Sequence, residues 1–123
     1  MLGAAHGCAN ALTARFSMTH GEAVGIMLPA VVRKNSEEGA VGEDYYDLLN
    51  SVAFDEDCNA ESLDQLLENH LQAAGLPLKL DGFGVTDEHV GELAEDAETQ
   101  WTSTFNPIQL SFRDLTQVFG QVL

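Results

Sequence analysis

Positive charge is the scarcest commodity in this chain: 5 lysines and arginines stand against 20 aspartates and glutamates in 123 residues, a net charge of -15. Such a surface repels phosphate backbones, which argues against nucleic acid as a partner. Cysteine is nearly absent too. Cys8 and Cys58 lie far apart with no CxxC spacing, so buried or free thiols in a reducing compartment are expected rather than a disulfide framework. No apolar run approaches the ~18 residues that cross a bilayer, so no membrane partner is expected. The opening MLGAAHGCANALTARF has no basic leader ahead of an apolar core, and the expected location is the cytoplasm. Alternation of β-branched residues is rare, and no repeat or low-complexity tract interrupts the chain.

The charge that is present is unevenly placed. Residues 1–35 carry Arg15, Arg33 and Lys34 against Glu22 alone, whereas all nineteen remaining acids fall in residues 36–123, opposed by Lys79 and Arg113. The sparsely charged N-terminal third is the part that must be buried. The acidic clusters Glu37-Glu38, Glu43-Asp44 and Asp55-Glu56-Asp57 lack the alternating oxygen ligands and glycine of a calcium loop and read as solvated charge.

Hydrophobic periodicity predicts an all-α fold of about six helices in one domain over residues 1–123. Gly3–Phe16 is small and apolar nearly all round, as in a helix buried on several sides, and Ser17-Met18-Thr19 breaks it. His20 to about Arg33 is a second helix, with a kink or break expected at residues 25–29 because Pro29 removes a backbone hydrogen bond. A polar stop at Lys34-Asn35-Ser36 precedes a third helix, from about Gly42 to Ala53. A fourth is capped by Asn59 and ended by Gly75 and Pro77, with His70 on its leucine face as a partly buried packing residue. Residues 76–85 form an irregular crossing that inserts Leu76, Leu78, Leu80 and Phe83 into the core. Gly82-Phe83-Gly84 is a turn, since no strand or third glycine supports phosphate binding. Thr86 or Asp87 starts a fifth helix, with His89 on the surface, and Ser111 with Asp114 caps the last. Trp101 and Phe105 are expected to anchor a loop to the core.

His6 and His20 are the candidate metal ligands. On one straight helix they would stand ~21 Å apart, whereas two nitrogens on one ion lie only ~3 to 4 Å apart. The chain must therefore turn back at Phe16–Thr19 if they are to act together. Spacing alone leaves two readings open, shared ligands or hydrogen-bonded core residues.

The segment GAAHGCANALTARFSMTHGEAVGIMLPAVVRKN resembles the metal-binding part of the iron-containing, or group III, alcohol dehydrogenases. There a histidine early in a small-residue helix and a second one before glycine, followed by a Leu-Pro pair and an asparagine, bind the catalytic ion. The matching positions here are His6, His20-Gly21, Leu28-Pro29 and Asn35. The likeness continues more weakly through Gly75-Leu76-Pro77 to Asn106-Pro107. It implies a divalent ion, Fe2+ or Zn2+, acting as a Lewis acid on an alcohol oxygen, with NAD(P) as hydride partner in a completed enzyme. The family's dinucleotide-binding domain, and the aspartate and further histidine that complete its metal site, have no counterpart in these residues. A part that is inactive alone is expected, weak in metal binding, completed by a separate nucleotide-binding subunit or paired as a homodimer. The alternative is a non-enzymatic helical module for self-association or partner binding. Many relatives carry a histidine four residues after the first ligand, where Asn10 stands, and an amide cannot titrate in a proton relay.

Overall fold

A computed structural model describes residues 3–52 and 60–123. Six α-helices form, as the periodicity predicts, and no strand occurs among the described residues: α1 Ala4–Arg15, α2 His20–Asn35, α3 Gly39–Val52, α4 Leu63–Ala73, α5 Asp87–Thr99 and α6 Phe112–Gln121. Two 3₁₀ turns, Asp81–Phe83 and Trp101–Phe105, link α4 to α5 and α5 to α6. None of these helices is long and apolar enough to cross a membrane.

Helix α1 sits at the centre of the packing. It touches α2, α5 and the Trp101–Phe105 turn, while α2 also meets α4 and α6. Its small side chains explain this: Ala4, Ala5, Gly7, Cys8, Ala9, Ala11 and Leu12 are all buried, so neighbours approach from several sides. Larger residues of the partners fill the space around it, with Ile26, Met27, Leu93, Leu115, Val118 and Phe119 fully enclosed. Each such burial contributes about 1.5–3 kcal/mol of transfer free energy. Burial also pushes the Cys8 thiol up to about 12, so it stays protonated and behaves as a small apolar residue. Cys58, the Asn59 cap, Ala53 and the Asp55-Glu56-Asp57 cluster lie outside the described residues.

Several local expectations are corrected. Helix α2 runs from His20 to Asn35 without a break at Pro29. The proline is buried, and packing on α1, α4 and α6 carries the helix through the one lost bond, to the Gly25 carbonyl. Helix α3 begins three residues early, at Gly39, because the Gly42 N–H already donates to the Glu38 carbonyl at 2.9 Å. Of the four residues expected to insert from the 76–85 crossing, only Leu80 is buried; Leu78 and Phe83 are half-buried and Leu76 is exposed. The turn at residues 82–84 is confirmed, with Gly84 in the left-handed region at φ +77°.

Asn35, the last residue of α2, is 2% exposed and exchanges hydrogen bonds with Asn106, 2.7 Å one way and 3.3 Å the other. Tyr45 Oη accepts from it as well, at 3.1 Å. Asn106 also accepts from the Ala4 N–H and donates to the Ile108 carbonyl, so two amides tie α1, α2 and the approach to α6 together.

The few cations staple helices. Arg15 reaches Glu92 and Asp96 on α5, Arg33 reaches Asp64 and Glu68 on α4, and Lys34 reaches Glu37 and, on α6, Asp114. Asp114 also closes a capping box with Ser111. The Ser111 hydroxyl and backbone N–H, then Lys34, hold its carboxyl down to about 2 from an ordinary 3.8. Because the folded value is the lower one, this stabilisation is complete above about pH 4 and is lost as pH falls through about 2. Ser111→Ala is expected to lower stability by about 1 kcal/mol at pH 7. Asp114→Asn should flatten the acid limb of stability across that interval in denaturant titrations, and an unchanged limb would show that the carboxylate is not the linked group.

Candidate metal centre

The two histidines are placed by a corner. Helix α1 ends at Arg15, Phe16 is extended (φ -122°, ψ 144°), and the Met18 side chain is buried and pins the linker to the core. Thr19 then caps α2: its hydroxyl accepts the Glu22 N–H at 3.4 Å, while the Glu22 carboxylate accepts from the Thr19 N–H and hydroxyl at 3.1 and 2.7 Å. Those bonds hold the Glu22 carboxyl below the usual carboxylate range. His20 is the first residue of α2 and exposed; His6, in the first turn of α1, is half-buried.

Their ring centroids are 5.4 Å apart, with the planes inclined at 49°. The chain thus does turn back between them. For two imidazoles on one tetrahedral ion, with nitrogens ~2.1 Å from the metal, the ring centres fall ~5.3 Å apart. The spacing therefore fits a shared divalent ion. Among the described residues no third histidine, cysteine, aspartate or glutamate joins them.

The wall beside His6 is built by an absence. A Cβ at Gly7 would stand 2.1 Å from Ser103 Oγ, 3.2 Å from the Ala97 carbonyl oxygen and 3.5 Å from Gln100 Cβ. The bare backbone lets the end of α5 and the Trp101–Phe105 turn lie directly on α1. Ser103 Oγ donates to that same Ala97 carbonyl at 2.9 Å, and Asn10 Nδ2 donates to Gln100 Oε1 at 3.2 Å.

Other sequence candidates fall differently. Trp101 and Phe105 do not anchor the turn: they are 64% and 61% exposed and meet edge to face outside, while buried Thr102 holds the turn inward. His70 is exposed rather than packed, at the rim of a groove lined by Gly25, Leu28, Pro29, Leu67, Leu71 and Leu76. His89 is half-buried and structural. Its Nδ1 accepts the Thr86 N–H at 3.1 Å, capping α5, and its ring meets Phe16 edge-on at 5.1 Å. A histidine is not a usual capping-box partner, which is why spacing missed it; its position three residues after Thr86 was the available signal.

The sequence profile of the Fe-containing alcohol dehydrogenase family, C-terminal, matches residues 1–123. The chain belongs to that family. Lactaldehyde reductase of Escherichia coli K12 is 28% identical over 125 residues, covering 96% of this chain and 32% of that protein. Among solved structures, 1,3-propanediol oxidoreductase superposes with a TM-score of 0.82 at 23% identity, and the iron-containing alcohol dehydrogenase of Thermococcus thioreducens with 0.80 at 18%. They are covered over 98% of this chain but only 32% and 31% of their own lengths. These 123 residues thus span about a third of the relatives they match.

Gly7→Ala should destabilise the protein by about 1–3 kcal/mol, since the new methyl meets backbone as well as a hydroxyl. Urea denaturation checks this, and adding Ser103→Ala should recover only the part owed to the hydroxyl.

Proposed function

We propose that residues 1–123 supply two of the metal ligands, His6 and His20, of an iron-type, NAD(P)-dependent oxidoreductase acting on small alcohols and aldehydes. The 5.4 Å spacing of the two rings, reached across a chain reversal, carries the reading. The relatives' names, lactaldehyde reductase and 1,3-propanediol oxidoreductase, point to small oxygenated substrates.

Neutral imidazole nitrogens suit Fe2+ or Zn2+, and such an ion supplies Lewis-acid polarisation of an alcohol or carbonyl oxygen when bound. The chain's own residues do the rest of the positioning. The Thr19–Glu22 box fixes where α2, and hence His20, begins; the glycine at position 7 brings Gln100 against the helix that carries His6. Asn10, one turn beyond His6, neither gives nor takes a full proton at neutral pH, so proton relay passes elsewhere. With two ligands and no anionic partner, metal binding by these residues is weak and alcohol turnover by them alone is nil. Activity requires the dinucleotide-binding part and the remaining ligands, in the same polypeptide or a separate subunit.

Zinc titration of the 123-residue chain, followed on the histidine ring signals by NMR, is expected to shift His6 and His20 together at a stoichiometry of one. His6→Ala and His20→Ala should each abolish the saturable response. Shifts that survive either substitution would sink the shared-site reading.

A second reading rests on a different observation. The sparsely charged faces of α1 and α2 are largely covered by the chain itself, but Tyr46, Leu48, Trp101, Phe105 and Phe112 remain exposed. A partner subunit or a second copy in a cytoplasmic setting would cover the aromatic pair, whose size and shape suit an interface. Sedimentation should then show association that Trp101→Ser weakens; a concentration-independent monomer removes this reading for the 123 residues.

A further inference from the structure

Helix α5 is the element least favoured by its own charge. It carries Asp87, Glu88, Glu92, Glu95, Asp96 and Glu98 within 13 residues, with no lysine or arginine among them. Four like-charged pairs fall at helical spacing: Glu88–Glu92, Glu92–Glu95, Glu92–Asp96 and Glu95–Glu98. Neighbours of this kind each disfavour a helix about 1.4- to 2.3-fold, which compounds to about 4- to 30-fold. The last turn also lacks a basic residue to meet the negative end of the helix dipole. Opposing this is the apolar side of α5, where Val90, Leu93, Ala94 and Ala97 are buried as the helix packs on α1 and α6.

Electrostatic relief comes from outside the helix. Arg15, at the end of α1, bridges Glu92 at 2.8 Å and Asp96 at 2.7 Å. Glu98 accepts the Phe112 N–H at 2.7 Å, at the start of α6. Glu88 and Glu95 are exposed and bridge no cation among the described residues, and the exposed Arg113 of α6 pairs with none of the α5 acids. Dissolved ions act in the same direction as Arg15: the screening length falls from about 30 Å at 0.01 M to about 3 Å at 1 M, below the roughly 5–6 Å between such neighbours. The seating of α5 matters beyond the helix itself. Its His89 ring meets Phe16 at the corner between the two histidines, and its end lies on Gly7 beside His6. We propose that α5 is a salt-responsive element: screening of its acids seats it on α1, and Arg15 is the clamp that keeps it seated when ions are scarce. Salt weakens the Arg15 bridges too, but four repulsive pairs against two attractive ones set the net sign. The effect does not depend on a metal at the histidine pair.

Amide hydrogen exchange of the 123-residue chain tests this, with protection at each salt concentration measured against a peptide of residues 86–100. Between about 0.02 and 0.5 M NaCl, protection of the α5 amides should rise about 3- to 10-fold and then level off, while that of α2, whose last turn is basic, changes less than about 2-fold. Arg15→Gln should lower α5 protection more at 0.02 M than at 0.5 M. Glu95→Gln, which removes two repulsive pairs and no bridge, should raise protection at low salt and flatten its salt dependence; it also keeps the test decisive should Arg15→Gln fail to fold. Protection of α5 that is flat or falls with salt, a rise shared equally by all helices, a rise that continues without levelling to 2 M, or a salt dependence that Glu95→Gln leaves unchanged overturns the proposal.

Discussion

Close approach to α1 is the constraint on which the rest depends. Alanines, a glycine and a cysteine leave the helix too thin to fill its own surroundings, so α2, α5 and the Trp101–Phe105 turn can all lie against it. Packing of this kind is unforgiving, because an interior at crystal-like density has no room for even one added methyl where backbones touch. The Gly7 contact is the tightest instance. It sets how closely the end of α5 and the Trp101–Phe105 turn approach the helix carrying His6.

Polar tethers then fix the direction of the helices that packing alone would let slide. The exchange between Asn35 and Asn106 is shielded from water, and each amide finds more than one partner. Losing either would strand buried donors and acceptors, which costs more than the net worth of the bonds themselves. Three of the 5 cations bridge helices on the outside. Exposed pairs of this type contribute little individually, but in a chain of -15 they also offset repulsion among the acids of α4, α5 and α6.

Much of this was legible in the residues. The six helices follow from 3.6-residue periodicity, and the Gly75 and Ser111 signals mark real ends. The likeness to iron-containing alcohol dehydrogenases, read from His6, His20-Gly21 and Leu28-Pro29, agrees with the family match over the whole chain. Failures share one cause. Pro29 was expected to kink or break α2, Trp101 and Phe105 to anchor a loop to the core, and His70 to be partly buried. Each expectation took intrinsic preference as decisive where neighbours distant in sequence overrode it.

The sequence by itself determined which stretches are helical, where they are capped, and that residues 1–35 carry too little charge to stand in water, because these depend on neighbours within a few residues. Only the tertiary structure decided that two imidazoles fourteen positions apart stand 5.4 Å from each other, that Asn35 is sealed against Asn106, and that Asn10 meets Gln100. Those outcomes depend on how the chain reverses at Phe16–Thr19 and on how closely α5 settles on Gly7. Both are products of the whole core packing at once, a sum over many contacts that no local pattern encodes.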